Sequence, residues 1–414
     1  MNANKPNLEP RCTASIENGA DESLAAAAIV KARRRLLPFL LVLYIVAYLD
    51  RINVGFAALE MNRDLGLSDA VFGLGAGLFF LGYFLFEILS NLVLERVGAR
   101  RWIGRILVSW GAMAMAMVFV RGAASFYTMR ILLGVAEAGF FPGIILYLTY
   151  WFPPRERARA IATFMTATAI AGVIAGPISG ALLTMHGLAG LAGWQWLFIV
   201  EGAPAVVLGF VVAGWLPDGL ADARWLLQPE RDALAARLEA SRGREEGSRG
   251  HRLSDAFASG KVWMLSAIYF TVALSLYGLS FWLPNIVKQM GARSDIEIGF
   301  VAAIPFVIEA ISMVQLSKSS DRMGERRLHV AISALVGCAG FALAAAAEQP
   351  MRVFAAICVA AAGIGGCFGR FWSIPPEYLS GVAAAGGIAL INSVGNLGGF
   401  FGPYAVGFIR QRKR

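Results

Sequence analysis

The chain has 414 residues, of which 57% are hydrophobic and only 16% are charged. Soluble domains carry about 25% charged residues, so this composition excludes an ordinary water-soluble fold and predicts a protein embedded in a lipid bilayer. The net charge of +9 does not indicate nucleic-acid binding, because the Lys and Arg residues lie in short clusters between apolar runs and form no single patch.

The apolar runs predict the membrane spans, each of which needs about 20 residues. Eleven runs are long enough, and they lie near 36–60, 71–94, 102–120, 126–152, 158–185, 194–216, 262–287, 298–316, 328–347, 353–372 and 382–409. The predicted fold class is therefore an all-α integral membrane protein. Residues 1–30 are polar and lack the pattern of a signal peptide, so we expect them to form a disordered cytoplasmic tail.

The basic residues between the spans predict the orientation, because Lys and Arg concentrate in short cytoplasmic connections. The richer connections contain Lys31, Arg33, Arg34, Arg35, Arg96, Arg100, Arg101, Arg155, Arg157, Arg159, Lys318, Arg322, Arg326 and Arg327. The poorer connections contain Arg63, Arg121, Lys288, Arg293 and Arg352. The amino terminus is therefore predicted to be cytoplasmic, with the first span running outward.

Two sequence motifs repeat at one displacement, which indicates an internal duplication. The segment Glu95–Arg101 reappears as Asp321–Arg327, and Gly176-Pro177 reappears as Gly402-Pro403, both displaced by 226 positions. Parallel repeats of six helices are typical of secondary transporters that bind substrate between the two halves. We interpret these residues of the motifs as gating or structural: Arg96, Gly98, Arg100, Asp321, Arg322, Gly324, Gly176 and Pro177.

The duplication predicts the domain organisation. An N-terminal six-helix bundle covers 31–216, a cytoplasmic linker covers 217–261, and a C-terminal bundle of five helices covers 262–414. The sixth span would have its counterpart near 420–442, whereas the sequence ends at Arg414. We therefore expect the twelfth helix to be missing through truncation or a frameshift.

Four charged residues inside the spans are the main candidates for function. Asp50 and Arg51 lie in the first span, and Arg130 and Glu137 lie seven residues apart in the fourth. A charge at the centre of a membrane helix costs about 2.5–3.5 kcal/mol on insertion scales. One interpretation is that each span holds a structural ion pair. We favour another, in which the carboxylates bind protons and the arginines bind a substrate carboxylate.

The second half carries no charges at the equivalent positions, which are Leu276, Tyr277, Ala356 and Gly363. We expect this half to supply aromatic and amide contacts to the substrate, including those from Tyr277, Trp372, Asn392 and Asn396. Other acidic residues in the spans have fewer polar neighbours in the sequence and receive no role: Glu87, Glu201 and Glu309.

The sequence lacks the Gly-x-x-x-x-Gly-Lys-Ser/Thr pattern of a phosphate-binding loop and the zinc-ligand spacing of a metalloprotease. The cysteines show no paired metal spacing either. We therefore expect no ATP drive, no metal site, no enzymatic activity and no cofactor except a proton as the coupling ion.

The repeated motif and the Gly-Pro of the fifth span resemble the major facilitator superfamily. More narrowly, the stretches 48–53, 130–142 and 151–154 resemble the anion:cation symporter family, which carries organic anions with protons. The resemblance implies coupling or binding roles for Asp50, Arg51, Arg130 and Glu137. It also places Tyr48, Tyr83, Trp372 and Asn392 in the substrate pocket. Substrates of that family include sugar acids, tartrate, nicotinate and phthalate.

The predicted function is proton-coupled uptake of a small organic anion by alternating access. The protein is expected to be a monomer in a plasma membrane, here a bacterial inner membrane, with the organic anion and the lipid bilayer as its partners. The alternatives are an uncoupled facilitator, a non-transporting sensor and an inactive truncated remnant.

Overall fold

The computed structural model describes residues 9–247, 258–292, 294–372, 374–375 and 381–413. The regular structure in these ranges is entirely helical. Parts of three predicted features lie outside the described residues: positions 1–8 of the tail, positions 248–257 of the linker, and Arg293. The backbone of Asp321 is described, but its side chain is not.

The described ranges contain these helices in chain order: α1 (Glu9–Asp64), α2 (Asp69–Val97), α3 (Ala99–Ala116), α4 (Ala123–Glu137), α5 (Phe140–Thr149), α6 (Pro154–Leu183), α7 (Gly193–Trp215), α8 (Gln228–Gly247), α9 (Gly260–Gln289), α10 (Asp295–Met323), α11 (Arg327–Ala346), α12 (Pro350–Phe371) and α13 (Gly381–Lys413).

The helices match the predicted spans. Ten segments of the described chain are long and apolar enough to cross a membrane, with α4 and α5 together forming one of them. Helix α13 occupies the eleventh predicted span. The all-α membrane fold is thus confirmed, while the absence of a twelfth helix stays a prediction.

The prediction of a disordered tail is wrong from Glu9 onward, because α1 begins there. Ala25, Ala28 and Ile29 are buried in this extension. The physical reason lies in the run Leu24-Ala-Ala-Ala-Ala-Ile-Val, since alanine has the highest helix propensity and the run continues directly into the first span.

The fourth span is broken immediately after Glu137. Helix α4 ends at that residue, and α5 begins at Phe140 after Gly139, whose φ is +85°. Glycine adopts this left-handed conformation without the penalty that a side chain imposes. The break therefore places Glu137 at a helix terminus in the middle of the membrane domain.

The two halves are related by a pseudo-two-fold axis that passes between α1 and α9. Gly55 lies against the backbone of Phe281, and Arg51 donates a hydrogen bond to Tyr277. In both pairs the partners are separated by 226 positions, which is the displacement of the sequence repeat. Equivalent residues can meet one another only at the symmetry axis.

The halves pack closely at the end of the bundle that holds the α1–α2 connection at 65–68, which we name the loop end. Gly73 of α2 lies against the backbone of Pro403 on α13, and Gly299 of α10 lies against Gly176 of α6. A Cβ atom at Gly73, Gly176 or Gly299 would overlap with the opposing backbone. Small residues permit such close approach between membrane helices.

The opposite end, which we name the linker end, is where the repeated motif makes its contacts. Asp218 accepts a hydrogen bond from the backbone N–H of Arg100 at 2.8 Å and lies 3.5 Å from its side-chain Nε. This carboxylate satisfies a free N–H group in the first turn of α3. Gly98 and Gly324 have φ values of +96° and +67°, which explains glycine at both positions. Gating roles for Arg96 and Arg322 stay predictions.

Helix α8 lies within the predicted linker and is fastened to the first half by two ion pairs. Lys31 donates to Glu230 at 2.6 Å, and this hydrogen bond lowers the pKa of the Glu230 carboxyl. Arg237 donates to Glu156 at 3.0 Å. The linker helix is therefore part of the folded structure at this end. The exact boundaries of the two bundles stay predictions.

Replacing Gly176 with valine should open the interface between α6 and α10, because the added side chain overlaps with the backbone of Gly299. The reporter is a cysteine placed at Ala303, next to Gly176, in a protein without the native cysteines. We expect a membrane-impermeant maleimide to label this cysteine faster in the Gly176→Val variant than in the protein that keeps Gly176. Gly214→Val is the control, since a Cβ there meets nothing within 4 Å. Equal labelling in both variants would contradict the packing described for the loop end.

Candidate functional site

The guanidinium of Arg51 lies on the pseudo-two-fold axis and joins the two halves. Its Nη2 donates to Oε1 of Glu137 in a direct ion pair, and its Nη1 donates to the Tyr277 hydroxyl at 3.1 Å. The rings of Phe79 and Tyr83 each lie 5.4 Å from its carbon Cζ, within the range of cation–π contacts. Arg51 is thus the central residue of the site.

Asp50 points away from Arg51 and is held inside the first half. Its Oδ2 accepts from the indole N–H of Trp110 at 2.6 Å, and its Oδ1 accepts from the amide of Asn53 at 3.2 Å. Asp50 is only 1% exposed. Two neutral donors hold this carboxylate, and a change in its protonation therefore needs no ion pair to break.

Arg130 is completely buried but only partly satisfied. Its Nη2 donates to the carbonyl of Ala76 at 3.1 Å, and its Cζ lies 5.0 Å from the Phe79 ring. Its Nε and Nη1 have no hydrogen-bond partner among the described residues. Buried guanidinium donors normally have partners, so these two nitrogens are available to an anionic ligand.

The observed pairing differs from the structural ion pairs considered for the separate spans. Asp50 does not pair with Arg51, and Arg130 does not pair with Glu137. Instead Glu137, the last residue of α4, pairs with Arg51 of α1. The second carboxylate oxygen of Glu137 has no partner among the described residues.

Tyrosine rings surround the charged cluster. Tyr48 is buried and makes an edge contact with Tyr44 at 6.5 Å, and the Tyr277 ring lies 4.4 Å from Phe80. Tyr83 contacts Arg51, as described above. The structure therefore brings together three of the predicted pocket tyrosines with all four charged residues.

A second contact between the halves involves a carboxylate to which the sequence assigned no role. Glu87 of α2 accepts from the Asn392 amide at 2.6 Å and from the Ser393 hydroxyl at 3.0 Å. Asn392 is a predicted pocket residue, and in this conformation its amide is used by Glu87. Asn396 is buried one turn further along α13.

Trp372 contacts aromatic rings of the second half, and no direct contact with the four charges is found among the described residues. Its ring lies 4.8 Å from that of Tyr269. A substrate-binding role for Trp372 stays a prediction.

Several residues of the site were missed by reasoning from the sequence. Tyr44 could have been found, because it lies one helical turn before Tyr48 and so shares its face. Nothing in the sequence indicated that Trp110 and Phe79 belong to the site, since aromatic residues in spans are usually packing residues. Glu87 was visible as a buried charge, but its partners lie more than 300 positions away.

Two bundles related by a pseudo-two-fold axis, with buried charges at their interface, define the class of secondary membrane transporters. The comparisons agree, because the model of the Major Facilitator Superfamily matches residues 40–403. The chain belongs to the Major Facilitator Superfamily. It is a multi-pass membrane transporter of a small molecule and not an enzyme.

Several named relatives are similar over most of the chain. A protein of Agrobacterium vitis named "Putative tartrate transporter" is 49% identical over 94% of this chain and 86% of its own length. A quinolone resistance transporter of Acinetobacter baumannii is 44% identical, over 91% and 87% of the two chains. The inner membrane transport protein RhmT of Escherichia coli is 39% identical, over 92% and 88%.

Solved structures share the fold at low sequence identity. The inward-facing, occupied structure of a bacterial homologue of the human lysosomal transporter Spinster has a TM-score of 0.72 at 20% identity. The match covers 92% of this chain and 84% of that one. This similarity confirms the fold alone.

Tyr277→Phe should destabilise the protein, because it leaves a buried N–H of Arg51 without its partner. An unsatisfied buried donor costs about 1–3 kcal/mol, so we expect a lower midpoint of thermal unfolding in detergent. Tyr404→Phe is the matched control, since no hydrogen bond of its hydroxyl is found in the described part of the chain. Identical midpoints for the two variants would show that the contact on the axis does not contribute to stability.

Proposed function

We propose that this protein is a proton-coupled symporter that takes up a small organic carboxylate by alternating access. The observation that carries the proposal is the ion pair between Arg51 and Glu137. An internal carboxylate occupies the guanidinium that a substrate carboxylate needs. Competition between the two carboxylates for one arginine couples protonation to binding.

The coupling follows from the charges of the site. Protonation of Glu137 removes its negative charge and releases Arg51, whose planar fork then donates two parallel hydrogen bonds to a substrate carboxylate. Arg130 supplies its two free nitrogens to the same anion. Asp50 is a second proton site, and its protonation leaves the arginines with an excess of positive charge that the anion balances.

The remaining predicted residues complete the proposed pocket. The hydroxyls of Tyr48, Tyr83 and Tyr277 are donors near Arg51, and Asn392 becomes available when Glu87 releases it. Trp372 and Asn396 close the pocket on the side of the second half. No cofactor other than the coupling proton is required by this mechanism.

We also propose a monomer in a bacterial inner membrane with a cytoplasmic amino terminus. The distribution of basic residues supports this orientation, and the name of RhmT supports this membrane. With this orientation the closely packed loop end faces outward, so the conformation described here is closed to the outside.

A second candidate function is export of a quinolone, which the relative from Acinetobacter baumannii favours. The candidates differ in the flux that they produce in proteoliposomes when the outside is more acidic than the inside. A symporter accumulates labelled tartrate, nicotinate or a sugar acid, whereas a drug exporter expels a labelled quinolone. An uncoupled facilitator equilibrates its substrate regardless of the gradient, and a sensor or inactive remnant gives no flux.

Asp50→Asn should abolish uptake driven by the pH gradient and preserve exchange of labelled for unlabelled tartrate. Exchange requires no net proton movement, and asparagine retains hydrogen-bonding capacity while losing the titratable proton. The control is Asp222→Asn, which alters an exposed aspartate. Unchanged gradient-driven uptake in the Asp50 variant would contradict proton coupling through this residue.

Arg51→Lys should raise the KM for the transported anion about 10-fold to 100-fold, since each lost charge-assisted hydrogen bond is worth about 1.5–3 kcal/mol. Lysine retains the positive charge but not the bidentate fork. Arg121→Lys, at an exposed connection, should leave KM unchanged. A normal KM in the Arg51 variant would remove this residue from the substrate site.

A further inference from the structure

A groove opens between α10 and α11 on the surface of the second half. Two adjoining cavities of about 570 Å³ and 340 Å³ form it, and Gln315 and Ser319 line both. Its floor is α12, which packs against the backbone of α10 at Gly365 and against that of α11 at Gly363. The groove therefore lies between two helices that each rest on a third.

A hydrogen bond that joins the equivalent helices of the first half has no counterpart at this groove. The indole of Trp102 on α3 donates to the Ser90 hydroxyl on α2 at 3.0 Å. The residues 226 positions further on are Leu328 and Leu316, whose hydrocarbon side chains cannot form this bond. At these positions the polar bridge is thus confined to the first half.

Side chains that fill space in the first half are replaced by smaller ones along the groove. Trp110 and Leu107 of α3 are both fully buried. Their counterparts on α11 are Val336 and Ser333, which line the groove. The smaller volume of the side chains on α11 therefore accounts for the space between it and α10.

The deeper part of the groove is apolar and open to the lipid. Ile311 of α10 and Ile332 of α11 line its two sides and are 50% and 51% exposed. The hydroxyl of Ser312, which also lines this part, donates to the carbonyl of Ala362 on α12 at 2.6 Å. Its polarity is therefore used within the protein, and the walls that remain suit a hydrocarbon chain.

The part of the groove nearest the linker end is polar and positively charged. Gln315, Lys318 and Arg322 lie on one face of α10 at spacings of three and four residues, and all three line the smaller cavity. Among the described side chains, no ion pair of either cation is found. The carboxylate of Glu325 accepts from the backbone N–H of Leu328 at 3.2 Å. This part of the groove therefore offers donors and positive charge to an anionic head group.

The equivalent face of α2 shows that the polar row is not a general property of the duplicated scaffold. The counterparts of Gln315 and Lys318 are Leu89 and Leu92, which are 55% and 53% exposed, as expected for a surface that faces lipid. Polar and charged groups within membrane spans are costly and usually have a partner. The second half therefore carries groups that a polar ligand from the membrane would satisfy.

We propose that the groove binds one anionic phospholipid from the leaflet at the linker end. The phosphate lies against Lys318 and Arg322, the ester groups lie near Gln315, and one acyl chain runs along Ile311 to Ile308. From Arg322 to Ile308 the groove follows fourteen residues of α10, or about 21 Å at 1.5 Å per residue. This length is about half of the 40–45 Å thickness of a bilayer with its head groups, which is the depth of one leaflet.

The predicted orientation supports this ligand. With a cytoplasmic amino terminus the linker end faces the cytoplasm, where anionic lipids bind in basic pockets between membrane helices. The proposal makes no assumption about the transported substrate or its coupling, so it stands or fails separately from the proposed function.

The test measures lipid retention by native mass spectrometry. The purified protein is mixed with equal amounts of phosphatidylglycerol, which is anionic, and phosphatidylcholine, which has no net charge. We expect the wild type to retain one phosphatidylglycerol per chain. Lys318→Gln should weaken this preference about fivefold, the contribution of one basic residue near a membrane surface. Arg352→Gln, which changes an exposed arginine in the first turn of α12, is the matched control and should leave the preference unchanged.

Two further variants fill the groove with the residues that the first half carries at the equivalent positions. Val336→Trp and Ser312→Phe should each lose the retained lipid. The two substitutions lie on different helices, so either one that keeps the wild-type thermal unfolding in detergent decides the question. Leu335→Trp places the same indole on a 70% exposed position of α11 beside the groove and should retain the lipid.

A photoreactive group on one acyl chain of phosphatidylglycerol locates the bound lipid. We expect cross-links on α10 and α11 between Ile308 and Val336. Cross-links spread over all lipid-facing helices, equal retention of the two lipids by the wild type, or full retention by the filled variants would each overturn the proposal. So would a mass of two chains without lipid, which would assign the groove to a second copy of this protein.

Discussion

The pairing of Arg51 with Glu137 is the constraint on which the rest of the site depends. A buried ion loses its hydration, and breaking a buried pair by removing one partner costs about 3–5 kcal/mol. The fourth span breaks at Gly139, directly after Glu137, whose carboxylate pairs with Arg51 on α1. At the symmetry axis Arg51 also donates to the Tyr277 hydroxyl of the other half.

The two halves are similar where they close and different where they carry charge. Close glycine contacts occur in both symmetry-related positions at the loop end, at Gly73 and at Gly299. The charged residues of the site lie mainly in the first half, whereas the second half contributes Tyr277 and Asn392. The two copies of the duplicated scaffold thus share close glycine packing at the loop end, while they carry different polar residues.

The two faces of α1 separate the proposed tasks of this helix. Arg51 faces the axis and the second half, and Asp50 and Asn53 face the helices of the first half. Adjacent residues on a helix point about 100° apart, so one turn of α1 reaches both environments. In the proposed mechanism, a proton on the inner face and an anion at the axis therefore act on neighbouring positions of one helix.

The sequence by itself determined the membrane spans, the duplication and the four buried charges, because hydropathy, repeat spacing and charge within apolar runs are local properties. Only the tertiary structure decided the pairing of those charges. The pairing of Glu137 with Arg51, the contact of Glu87 with Asn392, the hydrogen bond from the Trp110 indole to Asp50 and the one from Ser179 to Glu201 depend on how far each helix is rotated and where it crosses its neighbours. This geometry is set by contacts between residues that lie far apart along the chain. A single sequence does not indicate which of its distant residues meet in space.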